Sequence, residues 1–146
     1  MIGIIGSGLM GKSIAIEFAK SGREVLVFSA QRHLSDENLK LEIQSILSRS
    51  KIENTDSILQ YIKIAHNESD FSDCDLIIEA LKENLELKRD ILSRFSQYLK
   101  KDTLFCSNTS SLSLEEIFKG IYDLKKVLGL HFFNPPSIMK LVEISI

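Results

Sequence analysis

A doubly wound α/β fold, with helices on both faces of a mostly parallel sheet, is predicted by three features of this 146-residue sequence. Short apolar runs, too brief for helices, recur along the chain. Amphipathic stretches alternate with them, which is the pattern of repeated strand–helix–strand units. A glycine-rich turn joins the first run to the first amphipathic stretch.

Each element follows in order. Ile2–Ile5, ended by Gly6, reads as a strand buried on both faces. Met10, Ile14 and Phe18 are spaced by four, Ala15 and Ala19 lie beside them, and Gly22 stands where a left-handed helix cap belongs. Residues 24–29 (EVLVFS) are β-branched and aromatic. Their arrival about twenty residues after the first strand completes a βαβ unit, so the pairing is parallel. From residue 30 to 60 the composition turns polar, and Leu39, Ile43, Ile46 and Leu47 mark one face of a helix that Ser35 or Asp36 caps. This is a helical excursion after the second strand. Residues 61–65 and 74–81 (CDLIIEAL) read as buried strands separated by the turn-rich HNESDFSD. Leu85, Leu92, Phe95 and Leu99 form a helical stripe. A strand at 103–106 follows, then a helix opened by a capping box from Ser113 to Glu116 and closed by Gly120. Residues 126–133 and 141–146 are the last strands. The final one runs into the terminus as LVEISI, so the chain is expected to be a single domain, 1–146, cut at a domain boundary.

Composition excludes several classes. Hydrophobic residues at 44%, charged residues at 26%, two prolines and seven glycines are near globular averages, which argues against a disordered or collagen-like chain. Eighteen basic against twenty acidic residues leave a net charge of −2, with no electrostatic footprint for nucleic acid or an anionic membrane. No apolar run is long enough to span a bilayer, and the start lacks a basic signal-peptide region. The expectation is a soluble, cytoplasmic protein. Cys74 and Cys106 match no metal spacing and lie in apolar runs, so they read as buried free thiols. His33 and His66 lie in polar stretches with no ligand set around them, and no metal is expected.

Gly6, Ser7, Gly8, Leu9, Met10 and Gly11 spell G-x-G-x-x-G between a strand and a helix, inside a βαβ unit of about thirty residues. That context turns a common glycine pattern into a dinucleotide-binding loop and makes the fold Rossmann-type. Gly6 permits the tight turn, Gly8 lets the backbone approach a pyrophosphate, and Gly11 lets helix and strand pack closely. The helix N-terminus supplies free N–H donors and a positive dipole. At the end of the second strand, where an NAD site usually offers a carboxylate to the ribose, this chain has Ser29, with Arg32 beyond it. Arg32 could pair with a 2′-phosphate, or be solvated while Ser29 makes a weaker ribose contact. NAD is the expected cofactor and NADP the alternative.

The segments SNTSSLS (107–113) and GLHFFNPPSIMKLVE (129–143), behind GSGLMG, resemble the NAD-binding domain of the 3-hydroxyacyl-CoA dehydrogenase family across essentially the whole chain. In that family an all-helical C-terminal domain, absent here, completes the substrate site and makes the dimer contacts. The resemblance implies His131 as catalytic base, Glu143 as its carboxylate partner and Ser110 near the reacting carbon. It also implies that Glu83 and Lys88 contact the nicotinamide-side ribose and that Asn108 and Asn134 line the cofactor cleft. The implied reaction is hydride transfer between a nicotinamide cofactor and an L-3-hydroxyacyl-CoA/3-oxoacyl-CoA pair, in fatty acid or butanoate metabolism. This chain departs from the family pattern at Ser29, in its shortened excursion and at Ser137.

The chemistry stands beside the name. Oxidising a secondary alcohol requires removal of its hydroxyl proton as hydride leaves, and histidine titrates in the right range. His131 lies at a strand end, where open α/β sheets bind ligands, and Glu143 on the next strand can hold one imidazole nitrogen. The rivals are a related dehydrogenase of a small hydroxy acid or sugar acid, and a cofactor-sensing module without chemistry. The run Lys82, Lys88, Arg89, Arg94, Lys100 and Lys101 reads as a mostly solvated helix face apart from Lys88. Ser110 and Ser111 lack the G-x-S-x-G context of a hydrolase nucleophile.

Overall fold

A computed structural model of the chain describes residues 1–30, 35–52 and 54–146. Arg32 and His33 therefore lie outside the described residues. Seven strands form one sheet: β1 (Ile2–Ile5), β2 (Val25–Phe28), β3 (Ile62–Ala65), β4 (Leu76–Glu79), β5 (Leu104–Ser107), β6 (Val127–Phe132) and β7 (Val142–Ser145). Their order is β3-β2-β1-β4-β5-β6-β7. Among the described residues every pairing from β3 to β6 is parallel, and β6 with β7 is antiparallel. The order reverses between β1 and β4, which opens a crevice at the carboxyl ends of those strands.

The helices are α1 (Leu9–Lys20), α2 (Asp36–Arg49), α3 (Thr55–Leu59), α4 (Leu85–Ser96) and α5 (Leu114–Phe118). Apolar stripes drive them onto the sheet. Ile14, Ile16, Leu39, Ile43, Leu47 and Ile58 cover one face, so the excursion of α2 and α3 packs with α1. On the other face Phe28, Phe71 and Phe95 meet edge to face, with Phe71 and Phe28 each 4.9 Å from Phe95. Such pairs add about 0.5–1.5 kcal/mol each beyond the area they bury.

Local chemistry sets the ends. Ser35, not Asp36, caps α2 by accepting from the Asn38 amide, and Asn84 caps α4 through the Leu87 amide. Gly22 ends α1 at φ +73. The capping box expected at α5 shows one half, Ser113 accepting from the Glu116 amide at 3.5 Å. Three features differ from the sequence reading. The polar segment before β4 folds into a 3₁₀ turn at Glu68–Asp73 because Phe71 is fully buried beneath it. A second short helix, α3, follows α2. The basic run on α4 is not merely solvated: Arg89 donates to the carbonyls of Glu116, Ile117 and Lys119, holding the end of α5. Cys74 and Cys106 are buried free thiols, and burial pushes each up to about 11. Among the described residues no helix is long and apolar enough to cross a membrane, and no cluster of three or more metal-ligating side chains occurs.

Candidate active site

The glycine loop leaves β1 and enters α1 through the crevice. Gly6 has φ +120, and a Cβ there would lie 2.5 Å from the carbonyl oxygen of Ala80. A Cβ on Gly11 would lie 1.9 Å from the Gly6 carbonyl oxygen, so α1 can approach the loop only without a side chain at that position. Gly8 differs, since a Cβ on it would meet no atom of the described residues within 4 Å. It is also the residue capping α1, with no side chain bonded to the first-turn amides and no acid in that turn. An N-terminus left uncapped by side chains, with open space against its first glycine, fits a pyrophosphate.

Ser29 lies just beyond β2 and its hydroxyl accepts from that of Ser7 at 2.7 Å, tying the glycine loop to the end of β2. Beside it a pocket of about 360 Å³ opens between Ser29, Asp36, His66, Glu68 and Arg94. His66 faces Asp36 at 3.2 Å and Arg94 faces Glu68 at 3.6 Å, so each nitrogenous side chain described there already has a carboxylate.

The ends of β4, β5 and β6 carry the rest. Asn108 donates its backbone N–H to the Glu79 carbonyl, and its side-chain oxygen accepts from the Phe132 amide at 2.8 Å. The side chain thus braces the end of β6 beside His131. His131 stands directly opposite Glu143 in the antiparallel register, with Nδ1 3.5 Å from a carboxylate oxygen. Two residues along, on the same face of the ladder, Gly129 stands opposite Ser145, and a Cβ on Gly129 would strike the serine hydroxyl, so the glycine lets β7 pair closely there. Phe133 flanks the imidazole at 4.9 Å. Asn134 is exposed in the turn that follows, before a cis proline.

Glu83, in the loop before α4, gathers the segment after β5. One carboxylate oxygen accepts from the Thr109 hydroxyl at 2.5 Å, the amides of Ser110 and Ser111, and the Ser111 hydroxyl. Partial burial pushes its carboxyl up, but Thr109, the Lys88 ammonium and the Ser111 amide outweigh that and hold it at about 2. Lys88 is only 1% exposed and pairs with Glu79 at 2.7 Å and Glu83 at 3.2 Å. Of the residues singled out in the sequence, the glycine loop and Ser29 gather at one end of the crevice. Glu83, Lys88, Asn108, Ser110, His131 and Glu143 gather on the strand ends across it. Glu79, Ser107 and Thr109 were missed. An acid inside the apolar run CDLIIEAL was the available signal, because a carboxylate on a strand buried on both faces must be paired.

These features define a dinucleotide-binding domain of the oxidoreductase kind. The family described as "3-hydroxyacyl-CoA dehydrogenase, NAD binding domain" matches residues 1–146, and the chain belongs to it. A probable 3-hydroxyacyl-CoA dehydrogenase of Caenorhabditis elegans is 40% identical over 98% of this chain and 51% of its own length. The 3-hydroxybutyryl-CoA dehydrogenase of Clostridioides difficile is 37% identical over 98% and 53%. Among solved structures, Mycobacterium tuberculosis FadB2 superposes with a TM-score of 0.89 at 32% identity, covering 98% of this chain and 52% of that one. The chain thus spans about half the length of these relatives.

Proposed function

We propose that this chain is the cofactor-binding half of an enzyme that interconverts an L-3-hydroxyacyl-CoA and a 3-oxoacyl-CoA with NAD. The observation that carries the reading is His131 facing Glu143 at the carboxyl end of β6, the same end of the parallel strands from which the glycine loop leaves β1. A cofactor sensor needs the loop but has no use for a base with an orienting carboxylate.

The backbone at Gly6 to Gly11 would hold the pyrophosphate, Ser29 the adenosine ribose, and Glu83 the ribose on the nicotinamide side. The chemistry supplied by a bound nicotinamide is acceptance or return of a hydride at the carbon bearing the oxygen. In the oxidative direction His131 removes the hydroxyl proton of the substrate, and Glu143 at Nδ1 holds the ring and favours the imidazolium that results. In the reductive direction the same imidazolium returns the proton. Ser110, exposed on the segment pinned by Glu83, would hydrogen-bond the substrate oxygen. The further length of the relatives fits a second, helical domain that completes the acyl-CoA site and forms a dimer.

Titration of the purified chain with NADH and with NADPH, read by nicotinamide fluorescence, tests the cofactor half, and tighter NADH binding is expected. Joining the chain to the C-terminal half of the C. difficile relative tests the rest. The fusion should reduce acetoacetyl-CoA, whereas the chain alone should show negligible turnover. Absence of binding to either cofactor, or full-rate turnover by the chain alone, would overturn the assignment.

A further inference from the structure

Glu79 is the last residue of β4 and is completely buried, at the end of a strand that is otherwise apolar. A carboxylate persists in such a place only when it is paired and fully hydrogen-bonded. Both of its oxygens are used. One accepts from the Lys88 ammonium at 2.7 Å and the Leu81 amide at 2.5 Å, and the other from the Ser107 hydroxyl at 2.5 Å. The two oxygens begin two separate chains of contact that lead outward to one residue. Through Lys88 the first reaches Glu83, which takes the Thr109 hydroxyl. Through Ser107 the second reaches the Thr109 backbone amide at 3.2 Å. Thr109 is therefore gripped at main chain and side chain by two routes with a single buried origin, and Ser110 is the next residue.

We propose that Glu79 is a positioning residue for the nicotinamide half of the site: it fixes Lys88 and Ser107, and through them the stance of Glu83 and of the Thr109–Ser111 segment. The inference rests on the dinucleotide reading above. A pair serving stability alone could lie anywhere in the sheet. This one sits where the β4 and β5 ladders end, and both chains of contact run toward the crevice. Glu79 touches neither cofactor nor substrate in this scheme.

The test is Glu79→Gln, which keeps shape and removes charge. Lys88 then has only Glu83 as an ionic partner and draws it away from the 109–111 segment. NADH and ADP are titrated against wild type and variant. ADP shares the adenosine and pyrophosphate but lacks the nicotinamide half. Glu79→Gln should weaken NADH about tenfold or more, as for loss of a hydrogen bond to a charged group, with ADP changed less than twofold. Thr109→Val, which leaves the buried pair alone, should show the same split in smaller measure, and Thr109→Ser should restore binding. If Glu79→Gln does not fold, the Thr109 pair decides. Unchanged NADH affinity in folded variants, or equal losses for NADH and ADP, overturns the inference while leaving the dinucleotide reading intact. Failure of the wild type to bind either ligand overturns both.

Discussion

Gly8 and Gly11 are separated by one helical turn and carry the same side-chain hydrogen, yet the structure gives them opposite roles. Gly11→Ala places a methyl 1.9 Å from the Gly6 carbonyl oxygen and 2.9 Å from its carbon, where ordinary contact begins at 3.4 Å. Both clashing atoms are backbone, so α1 must withdraw from β1 by about 1.5 Å, and cost at or above the upper end of the ~1–3 kcal/mol of overpacking is expected. At a guanidinium slope of several kcal/mol per molar this moves the unfolding midpoint down by roughly 0.5–1 M. The Cβ of Gly8→Val meets no atom of the described residues within 4 Å, and the φ of −67 and ψ of −176 at this position are extended backbone open to any L-residue. Two small effects oppose each other there. Val is a poorer helix cap than Gly, while losing a glycine restricts the unfolded chain, each by about 0.5–1 kcal/mol. Stability should stay within about 1 kcal/mol of wild type.

Binding should divide the pair the other way. A side chain on Gly8 fills the space where phosphate oxygens would approach the α1 amides. Loss of two hydrogen bonds to a charged group, about 1.5–3 kcal/mol each, raises the NADH Kd by roughly 10² or more. The assays are guanidinium unfolding followed by circular dichroism and NADH fluorescence titration of each folded variant. Wild-type NADH affinity in Gly8→Val would refute the phosphate-loop assignment, and an unshifted unfolding midpoint in Gly11→Ala would refute the packing argument.

Glu83 has its pKa held at about 2 against an ordinary 4.5, so it contributes stability above pH 4.5 that is lost as the pH falls toward 2. Being 35% exposed it should be worth only about 1 kcal/mol; Glu83→Gln should flatten the acid limb of the stability curve in that window, and an unchanged limb would count against the clamp. Cys74 and Cys106, buried and raised to about 11, should resist a thiol reagent at pH 8 in the folded chain and react fully in denaturant; rapid labelling of the folded chain would contradict their burial. In the fusion to the C-terminal half of the C. difficile relative, His131→Gln should lower kcat by ~10² to 10⁴ with NADH affinity little changed. Glu143→Gln should also be steep, and the double variant scarcely worse than His131→Gln, whereas additive losses would mean the two work separately.

Strands and their order of appearance were legible because each apolar run in this chain is short and bounded by turn residues. Parallel pairing followed from crossover length alone. The second short helix and the 3₁₀ turn at Glu68–Asp73 were not legible, since five- and six-residue polar stretches carry no period. Their placement is decided by Ile58 and Phe71 finding the core. Arg89 illustrates another limit. Its partners are carbonyls at the end of α5, some thirty residues away, and nothing in the spacing of basic residues along α4 distinguishes a brace between helices from a solvated charge.

The site divides along the same line. A motif is legible when its chemistry is local, as in the glycine loop, where three missing side chains in six residues already specify turn, approach and packing. His131 and Glu143 lie twelve residues apart, and their contact depends on the antiparallel return of β7, which a sequence shows only as two strands around a proline turn. Glu79 is the opposite case. The sequence displays it plainly as an acid in an apolar strand, yet its partners are distributed over α4, the β4–α4 loop and the end of β5. Its connection to Thr109 becomes visible only when both oxygens are followed outward, through Ser107 on one side and through Lys88 and Glu83 on the other. An acid in a buried strand must find partners, and sequence spacing shows that it needs them without showing which elements supply them.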